Sequence, residues 1–340
     1  MGGVTVLNIA NGEATAERVR KAGVPGDLLP WRDLLHEGPV PTGLSLPELS
    51  KTRADYLAAT GAGTTADLEA VFAARDQLLE RAPEYGQVIL WFDHDLYDQL
   101  QLVQLFDWFA AHGGADLPLY LICISSYPGL PKFTGLAQLT AAQLRPLVAR
   151  RRRVQPAELS LGKAAWAAFT APDPRSLETL ARGNTSALPY LRAALVRHLE
   201  DFPLLHGGVS RTEKQLLEVV RDGMHSPFEI FLAAQERETV PFLSDATVWH
   251  ILRSLSSDPA PVLECNGGCF TPPTSNGKPD DSFLRQAVHL TDLGREVVAG
   301  RIDWIALRGI DRWLGGVHLQ GNRSPWRWDE RRGRLIPAPN

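Results

Sequence analysis

Apolar and polar positions along the first third of the chain follow two periods in alternation. Short unbroken apolar runs have the length of buried strands: VTVLNIANG (Val4 to Gly12), GDLLPW (Gly26 to Trp31), QVILWF (Gln87 to Phe92) and PLYLICI (Pro118 to Ile124). Between them, apolar residues recur every three or four positions. This helical pattern covers EATAERVRKAG, stopped by Gly23, then about Leu46 to Tyr56, Ala66 to Arg81 and Leu96 to Phe109. Parallel strands need crossovers, so strands alternating with helices predict a parallel sheet covered on both faces. The fold class expected is α/β, with residues 1–153 forming a Rossmann-like parallel-sheet domain.

Beyond this the pattern changes. Residues 154–206 read as a helical connector, with AELSLGKAAWAAF, DPRSLETLA and SALPYLRAALVRHLEDF separated by proline and glycine. Residues 207–300 offer three short helices, TEKQLLEVVRDG, SPFEIFLAAQERE and SDATVWHILRSLSS, followed by two strand-like pieces, APVLECNGG and QAVHLTD. Three helices and a hairpin in that order predict a winged-helix-like domain whose wing is TPPTSNGKPDDS. Ser244 or Asp245 is placed to cap the third helix. Residues 301–340 form a tail with paired aromatic stretches around Gly-Asn and Arg-Gly turns, which predicts a hairpin.

At 340 residues the chain exceeds what one core usually organises, and 44% hydrophobic residues suffice for several. No apolar run reaches the roughly 18 residues that cross a bilayer, so no membrane partner is expected. The sequence MGGVTVLNIANGE lacks the basic region and cleavage site of a signal peptide, which implies the cytoplasm. Three cysteines, Cys123, Cys265 and Cys269, make no disulfide framework. A net charge of −4 gives no global support for nucleic-acid binding, which leans on phosphate neutralisation.

Candidate chemistry follows from the fold. In an open parallel sheet, ligands bind beyond the carboxyl ends of the strands where strand order reverses. Four such ends carry polar groups that simple loops do not need: Asn8, Asn11, Gly12 and Glu13; Arg32, Asp33, His36 and Glu37; Asp93, His94, Asp95, Asp98 and Gln99; and Ser125 and Ser126. All four are expected to face one crevice. Asp93, Asp95 and Asp98 flank an imidazole and can coordinate a divalent metal ion or orient a histidine. The plainer alternative is that Asp95 caps a helix and the others are solvated. Gln99, Gln101 and Gln104 make this helix entry unusually polar. Arg32 can clamp a phosphate or carboxylate, and His36, Glu37, His94 and Asp95 are the acid–base candidates. Asn8, Asn11, Gly12, Arg32, Asp33, Gln99, Ser125 and Ser126 are the substrate-binding candidates. Neither a dinucleotide fingerprint nor a P-loop is present, and CISSYPG does not match a serine-hydrolase elbow.

The third helix of the winged-helix-like segment carries only His250 and Arg253 toward a groove, and the wing adds only Lys278 against Asp280 and Asp281. Nucleic acid is therefore a weakly supported partner. The stretches GDLLPWRDLLHEGPVP, LWFDHDLYDQLQL, GLAQLTAAQL and SRTEKQLLEVV resemble a family of bacterial proteins whose N-terminal domain has no assigned function and is often paired with a second uncharacterised domain. The resemblance implies the two-part architecture and carries no activity, cofactor or site residues with it. The expectation is an enzyme, a hydrolase or group transferase acting on a small anionic or nucleotide-like molecule. A ligand-responsive transcriptional regulator and a protein-interaction scaffold are the alternatives, and oligomeric state is not legible.

Overall fold

The computed structural model describes residues 4–113, 117–273 and 280–338. The chain opens with β1 (Val6–Asn11), α1 (Gly12–Lys21), β2 (Asp27–Trp31), the two-residue β3 (Gly38–Pro39), α2 (Leu46–Ala59), α3 (Thr65–Glu80), β4 (Gln87–Phe92), α4 (Leu96–His112) and β5 (Leu119–Cys123). Sequence chemistry marks the starts of the helices. Ser45 and Glu48 close a capping box on α2, and the Asp95 carboxylate accepts the Asp98 N–H at the start of α4. After α5 (Ala141–Leu144), a short β6 (Arg152–Arg153) adds an antiparallel edge to β5.

The sheet order is β2-β1-β4-β5-β6, with β1, β2, β4 and β5 all parallel. Strand order reverses at β1, so the gap between the carboxyl ends of β1 and β4 is the switch point. Both faces are covered, as the unbroken apolar runs required. Leu7, Ile9, Leu90 and Phe92 point into the principal core with α3 and α4. Val6, Ala10, Ile89 and Trp91 point the other way, against α1, α5 and the segment around Leu136.

Three helices follow: α6 (Pro156–Thr170), α7 (Arg175–Arg182) and α8 (Leu191–Leu199). They do more than connect. Phe169, Leu177, Leu191, Leu195 and Phe202 belong to the same core as the sheet. Helix α6 lies so close to α4 that a side chain at Gly162 would collide with Phe106.

The next region has a core of its own, with Leu216, Val220, Ile230, Trp249, Leu252 and Val288 among its members. Its elements are α9 (Arg211–Arg221), α10 (Pro227–Arg237), α11 (Asp245–Leu255), β7 (Leu263–Cys265), α12 (Asp281–Leu284), β8 (Val288–Leu290), α13 (Asp292–Val298) and α14 (Trp304–Arg308). Ser244 is the cap of α11, accepting the Thr247 N–H at 3.0 Å. Strands β7 and β8 pair antiparallel. Residues 274–279 of the expected wing, Lys278 included, lie outside the described residues.

The tail makes two hairpins where one was expected: β9 (Ile310–Gly315) with β10 (Val317–Gly321), and β11 (Trp326–Asp329) with β12 (Arg334–Pro337). It is no appendage. Leu314, Val317, Leu319, Trp328 and Leu335 enter the principal core, and β9 runs parallel to β3, pairing Leu314 with Gly38 and Gly315 with Pro39. Among the described residues, no helix is long and apolar enough to cross a membrane.

Candidate functional site

The carboxyl ends of the parallel strands do come together along one rim. Asn11 at the end of β1 donates to Asp98 at 2.6 Å, across the switch point. Glu13 pairs with Arg32 from the end of β2. The His36 ring meets Tyr97 of α4 edge-on at 6.1 Å, and the Tyr97 hydroxyl lies beside Gly12. Behind β5, Tyr190 donates to Ser125 at 3.1 Å and packs edge-on against His94 at 5.6 Å. Ser126 is exposed next to this cluster.

Several of these side chains are struts, which differs from the roles expected of them. Asn8 is fully buried in mid-strand, where its amide donates to the carbonyls of Pro25 and Asp27 and accepts from the Trp91 indole. It ties β1 to the turn before β2 and meets no crevice. Gln99 is buried and donates to the Asp93 carbonyl at 2.8 Å; Gln101 donates to the Asp33 carbonyl at 2.9 Å; Gln104 accepts from the Trp31 indole at 3.0 Å. The polar entry to α4 thus satisfies buried backbone and indole groups that would otherwise cost stability. Asp33 is held by the wholly buried Arg53, which also donates to the carbonyls of Leu34 and Glu37. One guanidinium therefore shapes the loop from residue 33 to residue 39. Arg32, expected as an anion clamp, spends its charge on Glu13.

The acidic trio has a different arrangement from the one a metal site needs. Asp95 caps α4, Asp98 accepts from Asn11 and from the Asp93 N–H, and Asp93 accepts the Leu136 N–H at 2.9 Å. Gly135, at φ +148°, has no room for a side chain beside Asp93. Among the described residues, no group of three or more His, Cys, Asp and Glu is placed to hold a metal ion. Burial, reinforced by mutual repulsion, pushes the Asp93 and Asp98 carboxyls well above the usual range. Burial also raises Asp95, to about 6. The His94 imidazole is shifted down by burial and keeps a buried, unpartnered Nδ1.

A second group of candidate residues lies one step away. The loop after β2 delivers His36 and Glu37 to a cavity of about 440 Å³ whose other walls come from α2, α9, α11, α14 and β9. This lies within the range of small-molecule sites. His36 is 4% exposed; its Nε2 stands 3.3 Å from Glu37 Oε1, and among the described residues its Nδ1 has no hydrogen-bond partner. Phe242, edge-on at 5.3 Å, and Tyr97 fix the ring between them. Burial alone would raise the Glu37 carboxyl, but His36, Thr247 and His250 together hold it below the ordinary value, so it is ionised at neutral pH.

Charged groups that sequence reasoning passed over complete the wall. Glu213 is paired with Arg312, Asp201 with Arg197 at 3.0 Å, and Asp311 with His318 at 2.6 Å. Arg308 differs: it donates to the Ser254 carbonyl, lies over the Trp304 ring at 4.7 Å, and makes no ion pair among the described residues. Acidic lining residues outnumber arginines, but Asp201, Glu213 and Asp311 are already partnered, and Arg308 is a lining cation outside any ion pair among the described residues. Nothing local in the sequence marks it, because its distance from Glu37 is set by the β3–β9 pairing. Comparison with models of protein families returns no match, and comparison with curated proteins returns none.

Proposed function

We propose that the chain is an enzyme, a hydrolase or group transferase, that processes a small anionic molecule in the cavity between the loop after β2 and the C-terminal region. The observation that carries this reading is His36: a buried imidazole whose Nε2 faces the ionised Glu37 carboxylate and whose Nδ1 has no hydrogen-bond partner among the described residues, held by aromatic rings on a cavity of ligand size. His36 takes the proton of an attacking water or hydroxyl, and Glu37 stabilises the imidazolium that results. Arg308 holds the anion and offsets charge that develops on it. Arg32, the earlier candidate for this task, is replaced by Arg308 because its own charge is already met by Glu13.

A Rossmann-like sheet followed by a helical region and a smaller α/β region is an architecture often found in small-molecule enzymes, although fold alone fixes no reaction. The regulator alternative would draw on part of the same surface. If α9 to β8 form a winged helix, α11 is its reading helix. Thr247, His250, Ile251 and Ser254 share one stripe of α11, and that stripe lines the cavity. Of the two residues expected to read a groove, His250 lies on that stripe, while Arg253 is exposed and does not line the cavity.

The test pairs binding with turnover. A panel of small phosphates and carboxylates is screened by thermal stabilisation, since a ligand that prefers the native state raises the melting temperature. The anion that stabilises the wild-type chain should lose about tenfold or more in affinity with Arg308→Met. His36→Gln should bind it within a few fold and lose turnover by about a hundredfold or more. Unchanged turnover in His36→Gln would refute the assignment.

A further inference from the structure

The same cavity wall carries a flat aromatic surface whose position is fixed before any ligand arrives. Trp313 of β9 lines the cavity, and its indole is stacked on His318 of β10, with centroids 4.2 Å apart and planes 12° from parallel. The two residues are directly opposed in the antiparallel ladder. His318 is itself pinned, because its Nε2 lies 2.6 Å from Asp311 Oδ1. One face of the indole is therefore covered by the imidazole, which leaves its other face and edge for a ligand. Strand β9 is held on both sides, by β10 and by β3, so the indole rides on a rigid element.

Arg308 approaches the same cavity from the other end of the short segment that joins α14 to β9. Trp304 holds it there, with its own indole N–H donating to the Ala260 carbonyl at 2.8 Å. A cation that makes no ion pair among the described residues and a pre-stacked indole thus both line this cavity. Stacking on an aromatic side chain is tolerant of ring identity and favours a planar, unsaturated ring.

Resting on the reading of this cavity as a small-anion site, we infer that its ligand also carries a planar ring, the anionic group meeting Arg308 and the ring lying on Trp313, as in a nucleoside monophosphate. Trp313 is a substrate-binding residue in this arrangement, and His318 with Asp311 positions it.

Calorimetric titration of the full chain with adenosine monophosphate, ribose 5-phosphate and inorganic phosphate separates the two levels of the argument. The wild-type chain should bind adenosine monophosphate about tenfold or more tightly than ribose 5-phosphate. Trp313→Leu should bring the nucleotide down to the level of the sugar phosphate while leaving the sugar phosphate unchanged. Trp313→Phe, which keeps a ring, should stay within a few fold of wild type. Arg308→Met should weaken the nucleotide and the sugar phosphate alike. Equal affinity of the wild-type chain for the two would overturn the ring while leaving the anion site standing; this comparison needs no variant to fold. Trp313→Leu weakening both phosphates equally would overturn it too. Binding of none of the three at millimolar concentration would sink both levels.

Discussion

Asp93, Asp95 and Asp98 are three carboxyl groups closed off from solvent, and their chemistry tilts the response of the fold to acid. A carboxyl whose folded value is raised prefers to be protonated in the native state. Its favourable contribution is complete below the unfolded value, roughly 3.9, and is lost as pH rises through the folded one, about 6 for Asp95. The trio therefore weighs against the fold at pH 8 and less so at pH 5. Asp95→Asn keeps an oxygen for the Asp98 N–H, since asparagine caps helices as well as aspartate does, and removes the charge. This variant should be more stable than wild type at pH 8 in urea denaturation, with the difference closing as pH falls below about 6. A difference that is constant with pH would show that Asp95 carries no buried charge. At this scale the sequence was only partly legible. Polar residues near a strand end look alike whether they meet a ligand or hold the fold: Asn8 and Gln99 proved to satisfy carbonyls, and Asp33 accepts from the buried Arg53 guanidinium.

At the scale of elements, long periodic segments were read well. Strands β1, β2, β4 and β5 and helices α1 to α4 fall where apolar runs and helical spacing placed them, within a few residues at their ends. Strand β3 escaped notice because two residues, one of them proline, have no periodicity to detect. Yet β3 decides the site, since it fastens His36 and Glu37 to β9. Gly38 is the residue that permits this. Its φ of +73° suits only glycine, and a side chain there would collide with the Tyr56 ring in the cavity wall. Gly38→Ala should cost about 1–3 kcal/mol in chemical denaturation and weaken binding of whichever anion the wild-type chain takes. Wild-type stability and affinity in this variant would show that the β3–β9 contact is incidental.

Considered whole, the molecule is knitted from its two ends. The α/β sheet, α6 to α8 and the tail hairpins share one core, while α9 to α13 keep a second. That sharing was illegible in advance, because a parallel pairing between β3 and β9 spans most of the chain and leaves no local mark. A chain stopped after Gly309 would lose Leu314, Val317, Leu319, Trp328 and Leu335 from the principal core. It should unfold without a cooperative transition when followed by circular dichroism, whereas a sharp transition would make the tail dispensable. The late arrival of β9 has a consequence for biosynthesis. While the protein is being translated, His36 and Glu37 leave the ribosome long before Arg308 and Trp313, and wait without them until β9 follows. A product cut short before β9 would leave His36 and Glu37 with no far wall, so a site that needs all four residues cannot close until β9 has been made.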